Sequence, residues 1–318
     1  MRAVITGAAG FIGSRLARDC AGRGWSVVGL DCLRPYYDVS QKLRNLEELA
    51  QAGEFEFREV DLHDTPLDRH LDGADVVFHL AGQPGVRASW DTGFADYCRD
   101  NILATQSLLE AAVRSGVRRV VYSSSSSVYG DADTYPVSES ALPRPISPYG
   151  VSKLAGEHLC LAYAARGDVD VVALRYFTVY GPGQRPDMAI HRLISSALTG
   201  GEFRMYGDGL QIRDFTYVAD AVRANVLAAT ARGILGSVVA NIAGGSQVSL
   251  MDVIKTVEDV AGRPVNLLRG AAQAGDVRRT GGDINAAAAI LGWAPSVSLE
   301  DGVRNQVTWQ QSLDGVSA

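Results

Sequence analysis

The chain opens Met1-Arg2-Ala3-Val4-Ile5-Thr6-Gly7-Ala8-Ala9-Gly10-Phe11-Ile12-Gly13 and soon reaches Trp25-Ser26-Val27-Val28-Gly29-Leu30-Asp31. A short apolar run followed by a glycine turn reads as a buried strand. The glycines permit a tight turn and close backbone approach to a pyrophosphate. The segment from Ser14 to Arg23 then reads as a helix whose N-terminus faces that anion. The spacing is G-x-x-G-x-x-G, one residue longer between its first two glycines than the common dinucleotide fingerprint. The second apolar run, Trp25 to Leu30, ends in Asp31, eighteen residues after Gly13. A carboxylate at that place hydrogen-bonds an adenosine ribose and repels a 2′-phosphate, which selects NAD over NADP.

Working outward, the same alternation continues. Apolar runs at Phe55–Val60, Ala74–Leu80, Val117–Tyr122 and Val169–Tyr176 are separated by helical patterns near Leu43–Ala52, Asp100–Ser115 and Tyr149–Arg166. Strands apolar on both faces, alternating with helices, predict an α/β fold with a Rossmann-type, doubly wound parallel sheet. Ligands of such sheets bind at the carboxyl ends of strands, where Gly7, Asp31, Asp61, Ala81, Ser123–Ser125 and Phe177–Thr178 stand. After about residue 180 the pattern loosens, beginning with the turn-rich Gly181-Pro182-Gly183-Gln184-Arg185-Pro186. The remainder reads as a smaller C-terminal α/β substrate-binding cap, with Asp214–Ala229 returning to the main sheet. The expected division is 1–176 plus 214–243 for the NAD-binding part and 177–213 plus 244–318 for the cap.

Composition narrows the function. At 318 residues and 47% hydrophobic content, the chain can bury one large core or two moderate ones. A net charge of −6 argues against nucleic acid or an anionic membrane as the main partner. No apolar stretch approaches the roughly 18 residues needed to span a bilayer. The first strand begins at once, leaving no room for a signal peptide, and a cytoplasmic location is expected. Cys20, Cys32, Cys98 and Cys160 are scattered and read as small hydrophobes in a reducing compartment. The histidines at 63, 70, 79, 158 and 191 lack metal-ligand spacing, so no metal is expected.

The chemistry centres on Ser147-Pro148-Tyr149-Gly150-Val151-Ser152-Lys153. On a helix, Tyr149 and Lys153 share one face. A nearby ammonium favours a phenolate, so Tyr149 is expected to act as a base below its ordinary pKa of about 10. Such a pair alone is an ordinary helix pattern; the nucleotide-binding framework, with Ser125 upstream, gives it meaning.

Taken together, the motifs resemble the extended short-chain dehydrogenase/reductase family of nucleotide-sugar epimerases and dehydratases. They are Gly7-x-x-Gly10-x-x-Gly13, Asp61-Leu62, His79-Leu80-Ala81-Gly82, Ser123-Ser124-Ser125 with Val128-Tyr129-Gly130, and Tyr149-x-x-x-Lys153. Arg175-Tyr176-Phe177, Arg213-Asp214-Phe215 and Leu291-Gly292-Trp293 follow in family order. The resemblance implies bound NAD, a UDP- or dTDP-linked sugar, a homodimer formed through two helices per subunit, and Ser125, Tyr149 and Lys153 as the catalytic set. It further implies a cofactor pocket of Gly7, Gly10, Phe11, Ile12, Gly13, Asp31, Lys42, Asp61, Leu62, Leu80, Ala81, Gly82, Gln83, Asn101, Ser123, Ser124, Tyr149, Lys153 and Tyr176.

Reaction class is argued locally. Dehydratases of the family carry Asp-Glu after the catalytic hydroxyl residue, and sugar-acid decarboxylases commonly carry Glu. Here Ser126 and Ser127 follow Ser125, so elimination lacks its acid and base, and epimerisation remains. Arg175-Tyr176-Phe177-Thr178-Val179-Tyr180-Gly181-Pro182 through Arg185-Pro186-Asp187-Met188-Ala189 resembles UDP-glucuronate 4-epimerases. So do Tyr36-Tyr37-Asp38-Val39, Gly85-Val86-Arg87-x-Ser89 and Gln273-x-Gly275-Asp276-Val277. A C6 carboxylate suits a guanidinium fork, which points to Arg185; a loop-surface arginine is the plainer alternative. The implied substrate contacts are Gly85, Val86, Arg87, Ser125, Ser126, Ser127, Tyr149, Thr178 and Arg185. Arg213 is assigned to the diphosphate and Asp276 to the uridine ribose. The alternative is a UDP-glucose/UDP-galactose 4-epimerase, acting on a neutral UDP-hexose, or another nucleotide-sugar epimerase.

Overall fold

The computed structural model describes residues 1–271 and 277–314. The framework runs β1 (Arg2–Thr6), α1 (Phe11–Gly22), β2 (Ser26–Asp31), α2 (Val39–Leu49), β3 (Phe55–Glu59), a short α3 (Asp68–Leu71) and β4 (Val76–His79). It continues through short α4 (Phe94–Tyr97), α5 (Ala104–Arg114), β5 (Arg119–Ser125), α6 (Pro148–Ala165) and β6 (Asp170–Tyr176). The later part contains β7 (Val179–Tyr180), α7 (Ala189–Thr199), β8 (Glu202–Tyr206), β9 (Ile212–Asp214), β10 (Thr216–Tyr217), α8 (Val218–Thr230) and β11 (Ser237–Ile242). Last come β12 (Gln247–Ser249), α9 (Leu250–Ala261), β13 (Asn266–Gly270), α10 (Asn285–Leu291) and α11 (Leu299–Asp314).

Seven parallel strands in the order β11-β6-β5-β4-β1-β2-β3 form the main sheet. The chain reverses direction across the sheet between β1 and β4, the switch point where such folds open a ligand crevice. Alternate side chains of one strand feed opposite layers. Ala3 and Ile5 enter one core with Leu16, Phe78 and Val121. Val4 enters the other with Val28, Leu108 and Val120. Both layers are dry, which is why the strands read as unbroken apolar runs.

The glycine turn is sterically obligatory. Gly7 has φ +70°, and a Cβ there would lie 2.9 Å from the Ala81 nitrogen. A Cβ on Gly13 would lie 2.1 Å from the Gly7 carbonyl oxygen. α1 therefore packs directly on the turn. It starts at Phe11 rather than Ser14, because Gly10 is its N-cap. Three further boundaries differ from the sequence reading. β5 extends through Ser125, held by the pairs Ser123↔Leu174, Ser124↔Arg175 and Ser125↔Tyr176. The helix expected over Asp100–Ser115 begins as a π-helical turn, Cys98–Leu103, before α5. Asp214–Ala229 contributes α8 to the face of the sheet, whereas the strand that joins the sheet is β11.

A separate apolar cluster unites α7, β8, α9 and α11 through Leu193, Met205, Val253, Ile254 and Val303. Three two-stranded ladders, β10-β7, β12-β9 and β13-β8, surround it. Trp293 is fully buried and donates its indole N–H to the Asp220 carbonyl at 2.9 Å, fastening Leu291-Gly292-Trp293 to α8. No helix among the described residues is long and apolar enough to cross a membrane.

Candidate active site

A cavity of about 260 Å³ opens at the carboxyl edge of the sheet. Its wall includes every residue assigned above to the cofactor, from Gly7 to Tyr176, together with Arg185. Cys32, Arg34, Tyr36, Tyr37, Pro84 and Asp100 also line it and were not assigned to the cofactor from sequence. Tyr36 and Tyr37 carried a signal in the Tyr36-Tyr37-Asp38-Val39 motif. Arg34 and Asp100 carried none, because they meet only in the fold.

The residues fit NAD. The N-terminus of α1 has neither a side-chain cap nor an acidic residue in its first turn, so its amide donors face the crevice unneutralised. Asp31 accepts from the Ala9 and Leu33 amides at 3.2 and 2.8 Å and from Lys42 Nζ at 3.2 Å. These donors fix the carboxylate where a ribose hydroxyl can also bind. The Tyr37 hydroxyl is buried without a hydrogen-bond partner, a donor that a ligand can satisfy. Arg34 bridges Asp61 at 3.1 Å and Asp100 at 3.4 Å. Burial pushes the Asp100 carboxyl up to about 6, with Asp61 adding to the rise and Arg34 opposing it.

Behind the cofactor wall a hydrogen-bond chain sets the loop after β4. Thr105 donates its hydroxyl to the Asn101 carbonyl at 2.8 Å, so it accepts from His79 Nε2–H at 2.9 Å. Thr6 accepts from the Ala81 amide at 3.1 Å and donates to His79 Nδ1 at 2.9 Å. The network assigns a neutral imidazole with its proton on Nε2. The π-helical turn aims Asn101 at the same loop. Its amide oxygen accepts from the Gln83 N–H at 2.7 Å, while Nδ2 donates to the Gln83 carbonyl and to Ser152 Oγ. Ser152 then donates to the Tyr149 carbonyl at 2.8 Å. One asparagine thus couples the cofactor loop to α6, a use of a π-turn at a working site.

α6 begins cleanly. Ser147 caps it by accepting from the Gly150 amide at 3.1 Å, and Pro148 occupies its first turn. Tyr149 and Lys153 share its inner face and line the cavity. The Tyr149 ring meets Tyr97 edge-on at 6.1 Å. Tyr97 is itself fixed, its hydroxyl directed at the Pro84 and Gly85 carbonyls. Burial raises the Tyr149 pKa, opposed by a hydrogen bond with Ser125 and by the Arg185 charge. This corrects the expectation that Lys153 holds the phenol below its ordinary value: in this structure the lowering influences come from Ser125 and Arg185. Burial pulls the Lys153 ammonium down to about 8, with Cys160 and Glu157 opposing. Its Nζ lies 4.6 Å from the Tyr122 ring centroid.

The frame around these residues is a buried ion pair. Glu157, one turn beyond Lys153, accepts from Arg175 Nη2 at 2.6 Å, Arg175 Nε at 3.0 Å and Ser124 Oγ at 2.5 Å. Arg175 also donates to the Tyr129 hydroxyl at 2.7 Å, which donates to Asn241 Oδ1 at 2.7 Å. Ser124 therefore reaches the cavity wall with its hydroxyl already committed to Glu157. Ser123 Oγ contacts the Tyr176 hydroxyl at 3.4 Å, and Asn225 secures that tyrosine.

The proposed substrate residues are distributed unevenly. Tyr149 and Arg185 line the cavity. Ser125, Ser126, Ser127, Gly85, Val86, Arg87, Thr178 and Arg213 are not part of its lining. Ser125 Oγ accepts from the Ser127 amide at 3.1 Å. Arg87 stacks on Tyr206 of β8, its guanidinium carbon 4.3 Å from the ring centroid. Thr178 sits between β6 and β7, its carbonyl accepting from Thr216 at 2.9 Å. Arg213 donates to the Ile212 carbonyl at 2.9 Å. Asp276 lies outside the described residues.

A nucleotide crevice at the sheet's switch point, lined by a half-buried Tyr149 and a buried Lys153, defines a dinucleotide-dependent enzyme of the Rossmann class. The chain belongs to the NAD dependent epimerase/dehydratase family, which it matches over residues 3–243. An uncharacterized UDP-glucose epimerase, YtcB, of Bacillus subtilis (strain 168) is 41% identical over 314 residues, covering 98% of this chain and 99% of the relative. The solved structure of MoeE5 in complex with UDP-glucuronic acid and NAD is 47% identical, with a TM-score of 0.90 over 98% of this chain and 100% of that one. The UDP-glucuronic acid 4-epimerase from Bacillus cereus, solved with UDP-glucuronic acid and NAD, is 41% identical, with a TM-score of 0.95 over the same shares. The chain is an NAD-dependent nucleotide-sugar 4-epimerase by class.

Proposed function

We propose that the protein interconverts UDP-glucuronate and UDP-galacturonate by inverting C4 of the sugar. The observation that carries the acid substrate is Arg185, a cation in the wall of the same cavity as Tyr149 and Lys153. A planar fork there matches a C6 carboxylate in shape and charge.

NAD, when bound, would supply a reversible hydride acceptor for sugar C4. The chain's residues do the rest. Asp31 and Lys42 hold the adenosine end, and the α1 N-terminus holds the pyrophosphate. Tyr149 removes the proton of the sugar 4-hydroxyl, with Ser125 hydrogen-bonded to it, and Lys153 holds the nicotinamide ribose. The 4-keto sugar then turns about its link to the diphosphate, presents its other face, and Tyr149 returns the proton. Arg213 neutralises the diphosphate in this scheme, and Asp276 binds the uridine ribose. Arg185, with Thr178 and Ser127, holds the carboxylate away from alignment with the C4 carbonyl, which suppresses loss of CO₂. The residues after Ser125 are serines, so the dehydratase's acid and base are missing from those positions.

A neutral UDP-hexose is the second reading. MoeE5, the 47%-identical neighbour, has also been solved with UDP-glucose and NAD. Turnover of UDP-glucuronate and UDP-glucose, with sugar analysis of the products, separates the two. Exclusive conversion of UDP-glucose would overturn the uronate reading.

We further propose division at 1–176 plus 214–243 and 177–213 plus 244–318. A cytoplasmic homodimer completes the reading, supported by the exposed Leu103 and Val151 on the two helical segments beside the catalytic face. Light scattering tests the dimer.

A further inference from the structure

We propose that Asp187 is the positioning residue that presents Arg185 to an acidic sugar, and so sets the selectivity of the site for a C6 carboxylate. The inference rests on the uronate reading given above.

Asp187 takes one edge of the Arg185 fork. Its Oδ1 accepts from Nε at 2.9 Å and its Oδ2 from Nη2 at 3.0 Å. This side-on pairing consumes the Nε hydrogen and one Nη2 hydrogen. The Nη1 hydrogens and the second Nη2 hydrogen remain, along the end-on edge of the guanidinium. A second carboxylate can bind that edge in the same planar, bidentate way. The face of the group is fixed separately, by the Tyr36 ring, whose centroid lies 5.7 Å from the guanidinium carbon. Edge and face together leave one orientation.

The backbone beneath is already rigid. Gln184 precedes Arg185 and is nearly inaccessible at 1% exposure. Its side chain donates to the Val179 carbonyl at 3.1 Å and accepts from the His191 amide at 3.0 Å and Gln306 Nε2 at 2.8 Å. Gln41 donates to the Gly183 carbonyl at 2.9 Å. The turn is therefore anchored to β7, α7, α11 and α2. What remains to be set is the long arginine side chain, whose several rotors are costly to immobilise. Asp187 performs that task before the substrate arrives, the usual route by which preorganisation improves selectivity.

An ordinary surface ion pair would not do this. Arg304 and Glu300 form one on α11, with side chains 55% and 65% exposed. Arg185 and Asp187 are 18% and 40% exposed, and Arg185 faces the cavity. The pair is thus shielded enough to hold its geometry, yet open on the substrate side.

The test is steady-state kinetics of the holoenzyme with UDP-glucuronate and UDP-glucose, for wild type, Asp187→Ala, Asp187→Asn and Arg185→Ala. Asp187→Ala should lower kcat/KM for UDP-glucuronate by about 10- to 100-fold, the scale of a misplaced binding group, mainly through KM. The loss on UDP-glucose should be at least about tenfold smaller. Asp187→Asn keeps an acceptor for Nε and should fall between wild type and alanine. Tighter or unaltered use of UDP-glucuronate by Asp187→Ala would make Asp187 a competitor or a bystander and overturn the proposal. Equal losses on both substrates would mark a structural role and also overturn it. If Arg185→Ala is selectively damaged on the acid while Asp187→Ala is not, the uronate reading stands and this inference falls. If Arg185→Ala treats both substrates alike, the role of Arg185 in reading the acid fails first and carries this inference with it.

Discussion

Replacing His79 should change how the protein's stability responds to acid, in a direction set by the burial of its ring. His79 ends β4 and is almost fully buried. Both ring nitrogens are used, toward Thr6 and Thr105 at 2.9 Å each. Burial pulls its pKa down to about 3, with Lys153 adding to the fall. The unfolded chain binds that proton near pH 6.5. Between pH 6.5 and about 3 the unfolded state therefore holds a proton that the folded state refuses, so stability falls as pH falls. The slope approaches the limit of one proton, and on the order of 3 kcal/mol is lost between pH 8 and 4.5 from this residue alone. That is a large share of a typical total of about 5–15 kcal/mol. The assay is urea unfolding of wild type and His79→Gln at fixed saturating NAD from pH 8 to 4.5. The variant starts less stable, because one amide cannot span both threonines. Its slope between pH 5.5 and 4.5 should nonetheless be shallower by about 1 kcal/mol per unit or more. Carboxylate contributions are common to both proteins and cancel. Identical slopes would refute the assignment of a buried neutral imidazole.

Tyr149→Phe keeps the ring and removes the proton acceptor; turnover should drop by at least about 10²-fold in a folded, NAD-binding protein, and near-normal turnover would remove Tyr149 from the reaction. Purified protein should epimerise without stoichiometric NADH release, monitored at 340 nm; accumulation matched to product would identify a dehydrogenase instead. Asp31→Ala should erode the preference for NAD over NADP, and equal affinities already present in stripped wild type would contradict the role of Asp31. Glu157→Gln strands the buried Arg175 charge and should cost about 3–5 kcal/mol in denaturant unfolding; a loss below about 1 kcal/mol would show that the pair is not the frame described.

Much of this was readable because close packing leaves local signatures. A turn that admits no Cβ at Gly7 or Gly13 demands glycine, and a strand dry on both faces demands an apolar run. The residues lining the cavity followed from the family resemblance carried by the motifs and their order. Three things were hidden. The π-turn at Cys98–Leu103 has no residue pattern that distinguishes it from an ordinary helix start, yet it aims Asn101. The serine run reads as a strand's end, because serine favours turns; pairing with β6 keeps Ser123–Ser125 extended. The Tyr149 environment also depended on the fold. Spacing places Lys153 on the same face, but burial and the Arg185 charge are set by segments far apart in sequence.

Besides the Arg34 bridge to Asp61 and Asp100, the Arg175–Glu157 and Arg185–Asp187 pairs stand at this site, and their burial separates their tasks. Arg175 and Glu157 are 5% and 0% exposed. Each oxygen of that carboxylate is engaged, and Ser124 and Tyr129 extend the network into β5 and toward β11. Exchanging a partner there would leave an unpaired charge away from water, which is prohibitive during a catalytic cycle. The pair therefore holds α6, with Tyr149 and Lys153, against the sheet. Arg185 and Asp187 are partly exposed, and a ligand can meet Arg185 without abandoning Asp187. Solvent softens the cost of change at that pair, whereas exclusion from water makes change costly at the other. On the proposed reading, the base Tyr149 is thus mounted on the buried pair, and the reader of the sugar's C6 group belongs to the partly exposed one. Substitutions at 185 and 187 should accordingly alter which sugar is accepted while leaving the position of the Tyr149 hydroxyl to the Glu157 frame.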